Sequence, residues 1–505
     1  MIGPIKEKIK RAIDALVPGG DLATQTIRSG FWETAINVST RLLELLVLIV
    51  LANLLAPQDF GLIGIALLII GALNRFSRLG LNQALIHHED ERIDPYLNTV
   101  WILNLCRGIL LATLTFVSAP FVADFFREPL VTDLLRFLAL SPLLKAVSNP
   151  GVVYFEKALQ FHRKFIYRVT GSLANSTVAL GFGIVYQNVW ALAFGFIAAD
   201  LVRFPLSYWI HEFRPKFAFD VDRASELIGY GKWITASSMV YFLLDEGDDF
   251  VVGWLITSAA LGFYRMAYRI GNAPATEITN VIGDVIFSAF SKLQHDTQAL
   301  QDAFLRTIQV TTLVSFPTSV GVVVVAPVFV RGFMGQEWMP MVTAMQILAI
   351  YGFLLSFTET FHKLWKAVGH PEYVTKIGVL RLIIMAVLIF PAISRYGIEG
   401  VALTILGAYL AVTLPINLYL LDRTTSMELR PIAGEVSYPL VASLLMGTIV
   451  FGTRQAIAPG SAVLEFLLLV ILGVCSYSAV VIAFDMVFDW EVRQNLDLIV
   501  GAFRT

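Results

Sequence analysis

Long apolar stretches recur along almost the whole chain, and short polar turns separate them. Because a helix needs about 20 mostly apolar residues to cross a bilayer, the pattern predicts about fourteen spanning helices. Most connections are short and contain turn-forming residues, as at Pro57-Gln58-Asp59 and Tyr396-Gly397. We therefore expect an all-α polytopic membrane protein with spans near residues 31–56, 60–86, 97–121, 130–155, 165–187, 189–211, 229–256, 260–290, 304–331, 338–366, 374–394, 397–421, 432–453 and 461–487.

The composition supports a lipid-facing surface. The 505 residues are 56% hydrophobic and only 15% charged, whereas soluble domains carry about 25% charged residues. The net charge of −2 gives no broad basic surface for nucleic acid. The sequence has no P-loop and no histidine pair with metal-ligand spacing. We expect no nucleic-acid partner, no cofactor, no metal and no catalytic residues.

Basic residues are distributed unequally between the predicted loops. The N-terminal segment, 1–28, mixes apolar positions at a spacing of about four residues with lysines, which predicts an amphipathic cytoplasmic segment; a frayed basic tail is the alternative. The first long apolar run begins near Phe31, too late for a cleavable signal peptide. The loops on the opposite side hold only four basic residues, so the positive-inside rule places both termini in the cytoplasm. Those four are Arg127, Arg331, Arg395 and Arg454.

A shift of 201 residues aligns two parts of the chain. It places Gly30-Phe31-Trp32-Glu33-Thr34-Ala35 on Gly231-Lys232-Trp233-Ile234-Thr235-Ala236, and Gly61 on Gly262. Repeats of six spans share one orientation, which predicts two six-helix bundles related by a pseudo-two-fold axis along the membrane normal, plus two C-terminal helices. The expected divisions are a first bundle at 29–212, a cytoplasmic linker at 213–228, a second bundle at 229–425, and two additional helices with a tail at 426–505.

Several motifs resemble one family of membrane transporters. The run Leu51-Ala52-Asn53-Leu54-Leu55-Ala56-Pro57-Gln58-Asp59-Phe60-Gly61-Leu62 resembles a signature of bacterial polysaccharide transporters. Leu159-Gln160-Phe161-His162-Arg163, Leu261-Gly262-Phe263-Tyr264-Arg265 and Ser291-Lys292-Leu293-Gln294 extend the similarity over roughly residues 30–300. These transporters are lipid-linked oligosaccharide flippases of the multidrug/oligosaccharidyl-lipid/polysaccharide superfamily. Asn53 departs from the pattern, because the family commonly has arginine there.

The resemblance implies a function, a location and partners. It implies a multi-pass flippase or exporter in the bacterial inner membrane that moves lipid-linked oligosaccharide for capsule, exopolysaccharide or the O-antigen of lipopolysaccharide. We expect transport by alternating access, and the carboxylates within the predicted spans could couple it to Na⁺ or H⁺. The implied partners are the lipid-linked oligosaccharide, membrane lipids and other membrane proteins of glycan assembly.

Charged residues within the predicted spans are candidates for the transport site. A charge in mid-membrane is costly, about 2.5–3.5 kcal/mol on insertion scales, so these side chains should face the bundle interior. Arginine binds phosphate oxygens through two parallel hydrogen bonds, which suits a pyrophosphate head group. The candidates for substrate binding are Arg41, Arg75, Arg78, Lys145, Arg265 and Arg269. The candidates for ion coupling are Asp245, Asp248, Asp249 and Glu359.

Other interpretations of the same charges stay open at this point. The charges could neutralise one another between helices, and Asp200 and Arg203, three residues apart, favour a local ion pair. A cation-coupled multidrug antiporter of the same superfamily would need an acidic lining. A membrane enzyme of glycan assembly, such as a glycosyltransferase, polymerase or ligase, usually places catalytic residues in a large external loop, and every such loop here is short. A scaffold for glycan-assembly partners is the remaining alternative.

Overall fold

The fold is described from a computed structural model. It describes residues 36–37, 39–41, 43–77, 80–81, 85, 93–158, 160–425, 427–456 and 460–488. Side chains are described over the same ranges except at 228–237, 274, 276–285 and 288. The regular secondary structure of these residues is helical, and they contain no strand.

The helices follow the order of the predicted spans. The described part of the first helix, α1, ends near residue 52. We define α4 as two consecutive helices, Leu130–Leu138 and Leu140–Val147. The other helices are α2 (Pro57–Phe76), α3 (Asp94–Phe126), α5 (Phe161–Tyr186), α6 (Trp190–Ile210), α7 (Val221–Leu255), α8 (Ser258–Leu293), α9 (Thr297–Phe329), α10 (Val342–Ala367), α11 (Pro371–Ala408), α12 (Leu414–Thr425), α13 (Leu429–Ala456) and α14 (Ala462–Phe488).

The all-α membrane architecture predicted from the sequence is confirmed, whereas the number of fourteen spans stays a prediction. In the described part of the chain, nine helical segments are long and apolar enough to cross a bilayer. One of these, Pro371–Thr425, combines two predicted spans. It is interrupted at Gly397, whose φ of 56° and ψ of −133° are not helical, at the predicted turn. α7 and α8 are not among these nine segments, because their polar and charged residues lower the mean hydropathy.

The predicted span at 130–155 is not one continuous helix. α4 ends at Val147, because residue 149 precedes a proline and is disfavoured in helical conformation. The Asn149 backbone N–H donates to the Ser207 hydroxyl at 2.9 Å, and its side-chain amide donates to the Phe213 carbonyl at 2.7 Å. A short 3₁₀ helix, Pro150–Val153, follows. The hydrogen bonds of Asn149 therefore connect the end of α4 to the end of α6.

The chain separates into two compact units, Met1–Trp254 and Leu255–Thr505. The predicted linker at 213–228 overlaps a non-helical segment at 211–220 that contacts α3. There, the Lys216 N–H donates to the Asn98 side chain at 2.8 Å. The helix starts at Pro57 and Ser258 are 201 residues apart, the offset of the sequence repeat. The six-helix domain boundaries and the symmetry axis stay predictions.

In the second unit, α10 is the most buried of the candidate spans. In the most apolar part of the segment Gln336–Ala367, 67% of the residues are buried, against 17% for Ala462–Val487. The core around α10 contains Phe304, Phe361 and Trp365. The Trp365 indole donates to the Asn417 side chain at 2.7 Å, so this buried polar pair is satisfied. α14 turns most of its apolar residues outward, as expected for a helix that faces lipid.

The two cysteines correct an expectation drawn from their sequence context. Cys106 and Cys475 both lie in apolar runs, which predicts buried thiols, but both are exposed. The reason is that an apolar run in a spanning helix covers the lipid-facing side as well as the packed side. Apolar context alone therefore does not distinguish core from membrane surface.

The most specific sequence motif has a structural role. The Asp59 carboxylate accepts one hydrogen bond from the Ala56 N–H at 3.0 Å and another from the Val189 N–H at 3.0 Å. It thus stabilises the first turn of α2 and holds that turn against the α5–α6 connection. Gly183 in α5 permits this approach, since a Cβ there would lie 2.8 Å from the Leu51 side chain.

Candidate functional site

The first unit contains a polar cavity of about 410 Å³ among α1, α4, α5 and α6. Its lining is built from hydroxyl groups and from charged side chains of both signs. Three of the charged side chains are cationic and two are anionic. The lining residues are Thr40, Glu44, Lys145, Ser148, Tyr167, Arg168, Ser172, Asp200 and Arg203. We call this space the polar cavity.

Asp200 is the buried anion of the polar cavity, with 4% of its side chain exposed. Its carboxylate accepts a hydrogen bond from the Ser141 hydroxyl at 2.5 Å. Lys145 lies 3.3 Å away, and Arg203 lies 3.9 Å away. The ion pair with Arg203 that the three-residue spacing favours is therefore confirmed, and Lys145 joins it from α4. A buried carboxylate with two cationic neighbours is compensated, as burial requires.

The cations of the polar cavity keep hydrogen-bonding capacity beyond their contacts with Asp200. The Lys145 side chain is 50% exposed and lies over the Phe196 ring, with 5.1 Å between its Nζ and the ring centroid. The buried Nε of Arg203 has no hydrogen-bond partner among the described atoms. Arg168 is exposed. Lys145 and Arg203 therefore combine an internal counter-ion with capacity for a second anion.

Close packing fixes the position of Arg203. Gly171 in α5 lies so near that a Cβ there would collide with the Arg203 guanidinium. By contrast, a Cβ at Gly181 of the same helix would meet nothing within 4 Å. A glycine at 171 is therefore needed for this approach, which the sequence alone did not indicate.

A second ionic contact in this unit joins α2 to α7. Arg75 lies 3.4 Å from Asp245, and their side chains are 39% and 53% exposed. The rings of Phe76 and Phe242 meet edge to face at 5.4 Å beside it. The contact brings together one predicted substrate residue and one predicted coupling residue. Since both side chains are substantially exposed, the ion pair itself adds little stability.

Arg107 of α3 is a charged residue that the sequence reasoning missed. Its guanidinium donates to the Ser77 carbonyl at 2.9 Å and to the Asn74 carbonyl at 2.9 Å. These two carbonyls belong to the last turn of α2, where backbone acceptors lack helical partners. Arg107 therefore caps α2 directly after Arg75. A lone arginine in an apolar run gave no sequence signal for this contact.

The remaining candidates lie in several separate environments. Arg41 lies 3.9 Å from Glu44. Asp248 and Asp249 are buried, at 5% and 8% exposure, so two of the predicted coupling carboxylates are inside the first unit. Arg78 lies outside the described residues.

The second unit holds the other predicted site residues. Arg265 of α8 is half-buried and Arg269 is exposed. On α10, Glu359 contacts the His362 ring nitrogen at 3.0 Å. The roles of these residues in substrate binding and ion coupling stay predictions.

Comparison with known proteins agrees with this architecture. Residues 50–343 match the family described as "Polysaccharide biosynthesis protein". The chain is 25% identical to the lipopolysaccharide biosynthesis protein WzxC of Escherichia coli (strain K12), over 76% of this chain and 78% of the relative. It is 23% identical to the succinoglycan biosynthesis transport protein ExoT of Rhizobium meliloti (strain 1021), over 85% and 86%.

Solved structures show the same fold at low identity. The lipid II flippase MurJ in an inward closed conformation superposes with a TM-score of 0.74 at 14% identity, covering 90% of this chain and 98% of MurJ. An inward-facing multidrug resistance MATE family transporter of the MOP superfamily gives a TM-score of 0.60 at 16% identity, covering 77% and 95%. The motif resemblance noted in the sequence is thus confirmed by a family match over more than half of the chain. The protein belongs to the polysaccharide biosynthesis protein family of polytopic membrane proteins.

Proposed function

We propose that this protein is a flippase that moves a lipid-linked oligosaccharide with an anionic head group across the bacterial inner membrane. The observation that carries the proposal is the polar cavity, where Lys145, Arg168 and Arg203 outnumber Asp200 and Glu44. Family membership and the named roles of the relatives in lipopolysaccharide and succinoglycan biosynthesis support a glycan substrate.

Competition for Lys145 and Arg203 gives a mechanism for binding and release. Both cations are near Asp200, at 3.3 Å and 3.9 Å. An incoming phosphate or sugar carboxylate would share them, and the exposed half of Lys145 is where contact begins. Because Asp200 stays close, the substrate is held by shared cations and can leave again. A site without the internal carboxylate would bind more tightly and release more slowly.

The contact between Arg75 and Asp245 extends this mechanism to ion coupling. A substrate phosphate that binds Arg75 would release Asp245, which could then accept a proton or Na⁺ together with the buried Asp248 and Asp249. Arg41, Arg78, Arg265 and Arg269 are proposed as further contacts for the anionic head group, and Glu359 as a further coupling carboxylate. These assignments rest on charge within spans.

Binding by the purified full-length protein tests the substrate class. Undecaprenyl diphosphate and the organic cation ethidium serve as probes in the same detergent. We expect binding of the diphosphate, about tenfold weaker in Lys145→Ala because a charge-assisted hydrogen bond is lost. Arg136→Ala is the matched control, since Arg136 lies on α4 but does not line the polar cavity. Ethidium binding without diphosphate binding would favour the multidrug antiporter instead.

Both termini are proposed to lie in the cytoplasm, from the unequal distribution of basic residues. Single cysteines labelled in intact cells with an impermeant maleimide test this topology. Cys106 and Cys475 are exposed, so they should first be replaced. Labelling of position 127 only from the cytoplasm would contradict the topology. The expected cytoplasmic positions are Lys157, Arg214 and Arg423, and the expected external positions are Arg127, Arg395 and Arg454.

A further inference from the structure

An arginine in the second unit packs against aromatic rings. Arg381 lies on α11, within the predicted span at 374–394, and its guanidinium carbon is 4.4 Å from the centroid of the Tyr409 ring. The buried Nε of Arg381 has no hydrogen-bond partner in the part of the chain that the structure describes. Among the residues whose side chains the structure describes, none forms an ion pair with Arg381. Tyr409 therefore compensates the charge both through its ring face and through a side-chain hydrogen bond with the guanidinium.

Three tyrosines from three helices form the surroundings of Arg381. The Tyr351 ring of α10 lies 4.9 Å from the Tyr409 ring, and the Tyr268 ring of α8 lies 6.0 Å from the Tyr351 ring. Tyr351 and Tyr409 are buried. Tyr268 is half-buried and directly precedes Arg269. We call Arg381 with these three residues the tyrosine cluster.

The backbone at Tyr409 is unusual as well. Residues Tyr409–Thr413 form a π-helical turn between α11 and α12. Such turns within α-helices are found frequently at functional sites. The turn begins at the tyrosine that contacts Arg381. At its end, the buried hydroxyl of Thr413 has no hydrogen-bond partner among the described residues. Two unsatisfied polar groups therefore flank one irregular turn, where burial would normally require partners.

We propose that the tyrosine cluster binds an acidic sugar, with Arg381 holding its carboxylate. The ring face attracts the guanidinium, and the buried Nε of Arg381 has no hydrogen-bond partner among the described atoms, so this donor remains for an oxyanion. The Tyr409 hydroxyl can donate to the same oxyanion, and the half-buried Tyr268 ring offers apolar surface to a sugar ring. Arg381 is itself half-buried, which leaves a route for a ligand to reach it. The inference deepens the proposed function, on which it rests for the source of the sugar.

The proposal separates two sources of negative charge on a lipid-linked glycan. A carboxylate belongs to the sugar, whereas a phosphate belongs to the lipid linkage. The planar guanidinium fork fits both, but the aromatic surroundings favour a group attached to a sugar ring. The test therefore compares three probes, trigalacturonate, inorganic pyrophosphate and neutral maltotriose, each titrated into the purified full-length protein in nanodiscs and followed by calorimetry.

We expect trigalacturonate to bind and maltotriose not to bind. Arg381→Ala should weaken trigalacturonate binding at least about tenfold, and Arg381→Lys should also weaken it, because lysine lacks the planar fork. Tyr409→Phe should weaken it about fivefold, since it removes only one hydroxyl. Arg395→Ala is the matched control, an exposed arginine on the same helix, and should bind normally. Each variant must elute as a monodisperse peak, and Tyr409→Phe, which keeps the ring, covers the case in which Arg381→Ala fails to fold.

The outcomes distinguish this site from the proposed function. Normal trigalacturonate binding by Arg381→Ala and Tyr409→Phe would overturn the site, even where wild-type cells export glycan normally. Binding of pyrophosphate in place of trigalacturonate, dependent on Arg381, would overturn the sugar assignment. Arg381-dependent trigalacturonate binding in a protein that moves no lipid-linked glycan would uphold the site and refute the proposed function alone.

Discussion

The Asp200→Asn substitution tests how the polar cavity balances binding against release. Asparagine keeps an oxygen that can accept the Ser141 hydrogen bond, now 2.5 Å long, so the fold should be retained. The substitution removes the charge that Lys145 and Arg203 now share. A structural role for Asp200 alone would predict lower stability, whereas the proposed competition predicts tighter substrate binding.

The structure sets the size of this effect. At 3.3 Å, two unit charges attract by about 5 kcal/mol at an effective dielectric constant of about 20. Because half of the Lys145 side chain is exposed, water screens most of this, and about 1 kcal/mol is a realistic net value. When Asp200 no longer competes for Lys145, substrate binding should tighten by that amount, which is about fivefold in Kd. The gain in ground-state affinity should also slow turnover, because release becomes harder.

The assay is binding of undecaprenyl diphosphate by the wild type and the variant, together with the rate of glycan export at equal protein abundance. Asp133→Asn is the matched control, because Asp133 is an exposed carboxylate on α4 that does not line the polar cavity. Unchanged affinity in a monodisperse Asp200→Asn protein would refute the proposed competition between Asp200 and the substrate.

Two glycine pairs give further predictions, each with a control on the same helix. Gly171→Ala should displace the Arg203 guanidinium, which is the far end of a flexible side chain, and so weaken undecaprenyl diphosphate binding, while Gly181→Ala, with open space, should not. Equal binding by these two variants would contradict the close approach of Gly171 to Arg203. Gly397→Ala should cost about 1–3 kcal/mol because of the positive φ of 56°, while Gly407→Ala should be neutral or stabilising. Equal stability of the latter two variants would mean that α11 is not interrupted at residue 397.

The helices were predictable because a spanning helix requires a long apolar run, whatever its neighbours are. The turn at Gly397 was predictable for a related reason, since Tyr396-Gly397 interrupts the apolar run. The break after Val147 was not, because apolar residues continue on both sides of Asn149. Its hydrogen bonds to Ser207 and Phe213 depend on tertiary contact with the end of α6.

The kinds of residue in the candidate site were predictable from the sequence, but which of them lie together was not. Lys145 was identified as a charge within a span, and its proximity to Asp200 requires α4 and α6 to be packed together. The contacts of Arg107 left no recognisable sequence pattern, since its partners are backbone carbonyls at the end of another helix. Arg381 lies within a predicted span, but nothing in the sequence places Tyr351 and Tyr409 beside it.

Translocation by the purified protein is the most direct test of the central claim. Proteoliposomes would carry a lipid-linked acidic oligosaccharide on the inner leaflet, and an impermeant glycosidase outside would report its arrival on the outer leaflet. We predict cleavage that depends on the protein, is slower in Asp200→Asn and in Lys145→Ala, and is unchanged in Arg136→Ala. Cleavage no faster than in protein-free liposomes, by protein that still binds the glycolipid, would contradict the proposal that this protein is a flippase.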